Sequence, residues 1–183
     1  EGLKFITTPD TTLPPLLNAC GQAFEEAKNF SDAATFYARF RDEYPDHSLA
    51  QEVQDSYVRA TIADAELSGA GELPAPQATG GASGSNTQMT VVIQNDTPEK
   101  LSIVFSGPET RVEELDACTE CDKFTEEPTS CPEKGPVGRY VMAPGTYKVV
   151  VKTSSGGNVT PFSGTWDLTG SEEYSSCFYV VTR

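Results

Sequence analysis

The chain has 183 residues, and its 13 basic side chains stand against 27 acidic ones, for a formal net charge of -14. That balance repels nucleic-acid phosphate and anionic lipid. No apolar run approaches the roughly 20 residues that a membrane-crossing helix needs, so neither a nucleic-acid partner nor a membrane span in this chain is expected.

The length suffices for one medium domain or two small ones, each with a modest core. No charged-then-apolar leader opens the sequence, and Glu1 in place of a methionine fits the expectation of a processed product. From Thr11 to about Leu67 the composition is rich in alanine and acidic residues. Leu16, Leu17, Cys20, Phe24 and Ala27 recur at helical spacing; Ala33, Phe36, Tyr37 and Phe40 form a second stripe, and Leu49, Val53, Tyr57, Ala60 and Ile62 a third. Three helices are predicted within residues 1–67. Pro14 and Pro15 suit the first turn of the first helix, Ser31 caps the second, and Asp46 or Ser48 caps the third. Cys20, at an apolar helical position, reads as a small buried hydrophobe.

Leu17, Cys20, Gly21, Phe24, Ala33, Tyr37, Phe40 and Pro45 sit at the spacing of the tetratricopeptide repeat signature, which this stretch (about residues 14–66) resembles. It departs from the commonest pattern at Leu17, where tryptophan is typical, and at Phe40, where alanine is typical. The run FYARFRDEYPDHSLAQEV is similar to repeats of bacterial envelope proteins. The resemblance implies a scaffold that binds another polypeptide on its concave face. A single repeat with one further helix leaves apolar ends and is usually part of a longer array.

Residues 68–88, SGAGELPAPQATGGASGSNTQ, contain hardly a bulky side chain. Such a segment buries too little apolar surface to offset its ordering entropy and reads as a linker.

From Met89 to Arg183 the texture changes to short runs of valine, threonine and aromatic residues broken by turn residues. Seven strands are predicted, at 89–95, 100–107, 110–117, 138–142, 145–153, 162–169 and 173–182. Alternation puts Leu101, Ile103 and Phe105 on one face, and likewise Tyr147, Val149 and Val151, then Trp166 and Leu168. Seven short antiparallel strands with one buried tryptophan make a β-sandwich of immunoglobulin-like or fibronectin-like dimensions. The fold class is therefore α+β in two domains: a three-helix module at 1–67 and an all-β sandwich at 89–183. APGTYKVVVKT resembles a hairpin common in secreted bacterial sandwich domains, and SGPETRVEELDACTEC with YSSCFYVV resembles uncharacterised envelope domains of high-GC Gram-positive bacteria. That likeness implies a secreted or envelope setting and no particular activity.

Cys118, Cys121, Cys131 and Cys177 all fall in the sandwich half. Three chemistries compete for them. A four-thiolate zinc site has C-x-x-C at 118–121 but lacks a second close pair. A redox pair needs an ionised thiol, whereas Glu113, Glu114, Asp116, Glu120, Asp122, Glu126 and Glu127 crowd this stretch, with Lys123 the only near cation. Structural disulfides fit best, because a small sandwich with an irregular excursion at about 117–137 gains from cross-links. Of the three possible connectivities, Cys121 with Cys131 and Cys118 with Cys177 is the one expected.

His47 is the single histidine and follows Pro45 and Asp46 at a helix junction, so a capping turn suits it better than catalysis. The acidic pairs Glu113–Glu114, Glu126–Glu127 and Glu172–Glu173 follow no calcium-loop pattern, and neighbours on a strand point to opposite faces. No phosphate-binding loop links a strand to a helix. No catalytic, cofactor-binding or metal-ligating residue is expected. Asn29, Asn95 and Asn158 begin N-x-S/T sequons. The expected function is a non-enzymatic extracellular or cell-envelope module for protein binding or assembly. One alternative is the subunit of an extracellular polymer in which Leu3–Asp10 or the linker docks on a neighbour's sheet edge. Another is a carbohydrate-binding sandwich with Tyr140, Phe162 or Tyr174 as an aromatic platform.

Overall fold

The structure is a computed structural model that describes residues 12–82, 87–154 and 160–182. The Leu3–Asp10 segment and the Asn158 sequon lie outside these residues. The chain divides into two compact units, Glu1–Thr61 and Ile62–Arg183, and the boundary falls inside the third helix rather than within 68–88.

Three helices form, as the periodicity requires: α1 (Leu13–Glu26), α2 (Phe30–Glu43) and α3 (Ala50–Leu67). Proline occupies the first turn of α1, where its missing N–H costs nothing. The α2 cap is Asn29, whose side chain accepts from Asp32 N, so Ser31 sits at the second helical position rather than at the cap. Asparagine takes the role because its short amide reaches the amide three residues on, ahead of the first helical residue. The first unit closes around Leu17, Ala33, Tyr37, Phe40, Val53 and Tyr57, all buried. Gly21 permits the approach of α1 to α2: a Cβ there would run into the Tyr37 ring. At the same junction Tyr37 donates its hydroxyl to Glu25 (2.8 Å), and Arg59 of α3 grips Glu25 through both carboxylate oxygens (2.7 and 2.9 Å). Cys20 is half-buried rather than in the core, because its position on α1 lies beside the packed stripe.

Among its described residues the second unit holds ten strands: β1 (Gly71–Glu72), β2 (Gln77–Ala82), β3 (Met89–Asp96), β4 (Leu101–Ser106), β5 (Thr110–Leu115), β6 (Lys123–Phe124), β7 (Val137–Met142), β8 (Gly145–Thr153), β9 (Phe162–Leu168) and β10 (Glu172–Val181). The seven predicted strands are all present, as β3, β4, β5, β7, β8, β9 and β10. One sheet runs β1-β9-β8-β4-β5 and the other β2-β10-β3-β7, with β6 added on β10. Their inner faces share one core, in which Met89, Val91, Ile93 and Met142 of the second sheet meet Ile103, Phe105, Tyr147, Val149, Trp166 and Leu168 of the first. Phe105 is its hub, its ring 6.1 to 6.3 Å from those of Tyr140, Tyr147 and Trp166.

Two sequence expectations need correction. The sheets are mixed, not antiparallel throughout: β10 runs parallel to β3 from Glu173–Thr90 to Tyr179–Asp96, and β1 runs parallel to β9. Period-two alternation sets which face a residue occupies and carries no information on strand direction. The segment read as a linker contributes two edge strands and a core residue. β1 pairs with one sheet and β2 with the other, and Leu73 between them is 5% exposed. Backbone pairing to strand edges, which needs no bulky side chain, orders this stretch.

Candidate functional site

The residues with the densest chemistry lie where β3 ends. Asn95 is fully buried, and each of its amide atoms has two partners. Its Nδ2 donates to the carbonyls of Glu99 and Asp116 (2.8 Å each), and its Oδ1 accepts from Thr97 N (3.0 Å) and Thr97 Oγ1 (2.8 Å). One side chain thereby fixes the β3–β4 turn and the start of the excursion that follows β5. The Asn95 sequon is thus a packing device, with no room for a glycan on the folded chain. At Asn29 the side-chain amide is engaged with Asp32.

Asp96, also fully buried, does the same for the return of the excursion. Its Oδ1 accepts from the amides of Lys134 (2.8 Å) and Gly135 (2.6 Å) and from Gln94 Nε2 (3.2 Å), whereas its Oδ2 has no hydrogen-bond partner among the described residues. Gly135 must be glycine, since a Cβ there would overlap the Asn95 carbonyl. Backbone bonds from Asn95 N to Pro136 O and from Cys118 N to Thr97 O complete the frame.

The four sandwich cysteines form two disulfides, but not in the expected pairing. Cys118 joins Cys121 and Cys131 joins Cys177, with Cα separations of 5.5 and 6.0 Å. The reason lies in register: parallel pairing sets Cys177 beside Gln94, and Asp96 binds the 134–135 amides, so the return leg carrying Cys131 passes β10 at Cys177. Cys118, held by Thr97, is left next to Cys121. The Asp96 carboxylate lies 3.4 Å from Cys121 Sγ, and donor atoms of Asp96, Cys118 and Cys121 fall within 4.8 Å of one another. With both sulfurs in a disulfide, this trio offers a cation no thiolate.

The second candidate is the outer face of the β2-β10-β3-β7 sheet. Register places Val141, Thr90 and Glu173 in one row, Arg139, Val92 and Ser175 in the next, and Val137, Gln94 and Cys177 in the third. Val137 and Val141 are 52% and 51% exposed, and Arg139 between them donates to Glu173 across the sheet (2.8 Å). β7 ends the sheet order. Part of its rim is occupied, since Arg111 donates to the Val141 carbonyl (2.7 Å) and Glu109 accepts from Ala143 N (3.0 Å). Sequence reasoning missed this face, because an alternating strand does not reveal whether its outward residues are covered.

Of the three aromatics considered for a sugar platform, Tyr140 and Tyr174 are core residues at 7% exposure and only Phe162 faces outward. Burial pushes the Tyr140 hydroxyl up to about 12. Phe162 lines an apolar cavity of about 140 Å³ with Leu101, Val151 and Phe178. His47 lies in the turn that leads into α3: its Nδ1 accepts from Leu49 N (3.1 Å) and its ring meets the Phe40 ring edge-on. No family model matches the chain, and no curated protein or solved structure matches it.

Proposed function

We propose that this chain is a non-enzymatic protein-binding and assembly module of the extracellular space or cell envelope, and that its outer β7 face receives an extended segment of another polypeptide. The observation that carries the reading is the exposed pair Val137 and Val141 on a strand that ends its sheet, beside the Arg139–Glu173 ion pair. Apolar side chains ringed by polar ones suit a docking surface, and a strand edge can add main-chain hydrogen bonds from an incoming strand. Two disulfides support an oxidising compartment. The tetratricopeptide-like spacing of the helices and the two-sheet β unit accord with a scaffold for partners rather than a reaction centre.

Self-association is the form of the proposal that the purified protein can test. Sedimentation velocity of the intact chain is expected to show concentration-dependent association that Val137→Lys with Val141→Lys abolishes. Unlimited growth would make the chain the subunit of a polymer. Association that survives the double substitution places the contact elsewhere, and a monomer at every concentration removes self-assembly from the reading.

A further inference from the structure

Two disulfides in one domain do different things. Cys131–Cys177 ties positions 46 apart and fastens the excursion to β10. Cys118–Cys121 spans three positions and ties nothing distant, so its stabilising effect through loop closure is small. Its surroundings persist without it. Cys118 N is bonded to Thr97 O, the Asp116 carbonyl is held by Asn95, and the Lys134 and Gly135 amides are held by Asp96. If this disulfide opens, the Cys118 backbone stays held beside a buried carboxylate whose Oδ1 lies 3.4 Å from Cys121 Sγ and whose Oδ2 has no hydrogen-bond partner among the described residues.

We propose that Asp96, Cys118 and Cys121 form a redox-gated site for a thiophilic divalent cation such as Zn²⁺. The disulfide closes the site and reduction opens it. A dithiol reductant supplies two electrons and two protons, cleaves the Cys118–Cys121 bond and leaves as its own disulfide, giving two thiols on the chain. The cation then displaces both thiol protons to solvent and takes one lone pair from each sulfur. The Asp96 carboxylate is the third ligand and a water molecule the fourth. The carboxylate and both sulfurs already lie within 4.8 Å of one another, and once the bond is cleaved the sulfurs need to move apart to about 3.8 Å to meet bonds of about 2.3 Å each, with the carboxylate oxygen at about 2.0 to 2.2 Å. The orphaned Asp96 Oδ2, costly to bury without a partner, supplies a reason for the carboxylate that the amides on Oδ1 leave unexplained. Asp116 and Glu120, both exposed on the same stretch, add a negative field that favours a cation, whereas Asp122 is paired with Lys134 Nζ (2.6 Å). This site differs from the four-thiolate arrangement considered from sequence, since Cys131 and Cys177 take no part.

The test uses the full chain with Cys20→Ser, oxidised and after mild dithiol reduction with the reductant removed under argon. Zn²⁺ is titrated against a colorimetric chelator, and Co²⁺ is titrated for its thiolate charge-transfer bands. The oxidised chain should bind neither metal tightly. The reduced chain should bind one ion, with the spectrum of a tetrahedral two-thiolate site. Asp96→Asn, which keeps the Oδ1 acceptor, should weaken binding about tenfold or more. Should that variant fail to fold, Cys121→Ser in the reduced chain should lose one thiolate from the Co²⁺ spectrum and bind as weakly. No metal on the reduced chain overturns the proposal. So does full binding by Cys118→Ser with Cys121→Ser, or affinity unchanged by Asp96→Asn.

Discussion

Trp166 donates its indole N–H to the carbonyl of Pro74 at 2.9 Å, across 92 positions of sequence. The largest core side chain is thereby bonded to the segment with the poorest side-chain content. Leu73 N donates to Ser163 O beside it, and the Leu73 side chain enters the core. Trp166→Ala should cost about 3 to 5 kcal/mol and Leu73→Ala about 2 to 5 kcal/mol, read as shifts in the denaturation midpoint of the sandwich. Limited proteolysis should spare residues 71–77. A sandwich that keeps its midpoint after cleavage at that stretch would return it to the status of a linker.

Asn95→Ala should destabilise the sandwich by about 2 to 6 kcal/mol, since the Asp116 carbonyl and the Thr97 amide each lose a buried partner worth about 1 to 3 kcal/mol, while the Glu99 carbonyl keeps Thr97 Oγ1. Asn95→Asp should be at least as damaging, because it turns an oxygen toward two carbonyls where Nδ2 now donates. The same engagement predicts that Asn95 carries no glycan when the chain is secreted by a glycosylating host. Glycopeptide mapping that finds Asn95 occupied on folded protein would contradict this.

The helical unit should respond to acid through Glu25. Burial pushes its carboxyl up, but the Arg59 guanidinium and the Tyr37 hydroxyl outweigh burial and hold it below its ordinary value. A group whose folded value is depressed adds stability that is present above its unfolded value and disappears as pH falls through the folded one. Stability of the helices should therefore decline from the ordinary carboxylate range downward, and Glu25→Gln should flatten that decline. Equal acid sensitivity in both proteins would show that the Glu25–Arg59 pair is not its source.

The two disulfides should contribute unequally. Loop-closure entropy gives about 4 kcal/mol for the long Cys131–Cys177 tie and about 2 kcal/mol for the short Cys118–Cys121 one. Paired serine substitutions, compared by denaturant titration, measure the difference. A larger loss from Cys118→Ser with Cys121→Ser would mean that the short bridge, not Asn95 and Asp96, holds the excursion in place.

Much of this architecture was legible. Leu17, Tyr37 and Phe40 at helical spacing, and Ile103 and Phe105 or Trp166 and Leu168 in alternation, are all buried as their periods require. Gly71–Ala82 was not legible, because it is ordered by backbone pairing and by a bond from a tryptophan 92 positions away. The disulfide pairing was hidden for a related reason. It depends on the parallel register of β10 against β3 and on a buried aspartate that gathers the 134–135 amides, and neither leaves a periodic mark. Asn95 and Asp96 themselves look like ordinary turn residues in the sequence; only their full burial reveals their role.

The proposed oxidising location, the anchoring of the excursion and the proposed cation site all rest on the state and pairing of the cysteines. Mass spectrometry of peptides from the unreduced chain, digested at low pH to prevent exchange, reads this directly. The account predicts a Cys118–Cys121 link within one peptide, a Cys131–Cys177 link between two, and Cys20 free. Linkage of Cys121 to Cys131 and of Cys118 to Cys177, or four free thiols on protein from its native compartment, would contradict it.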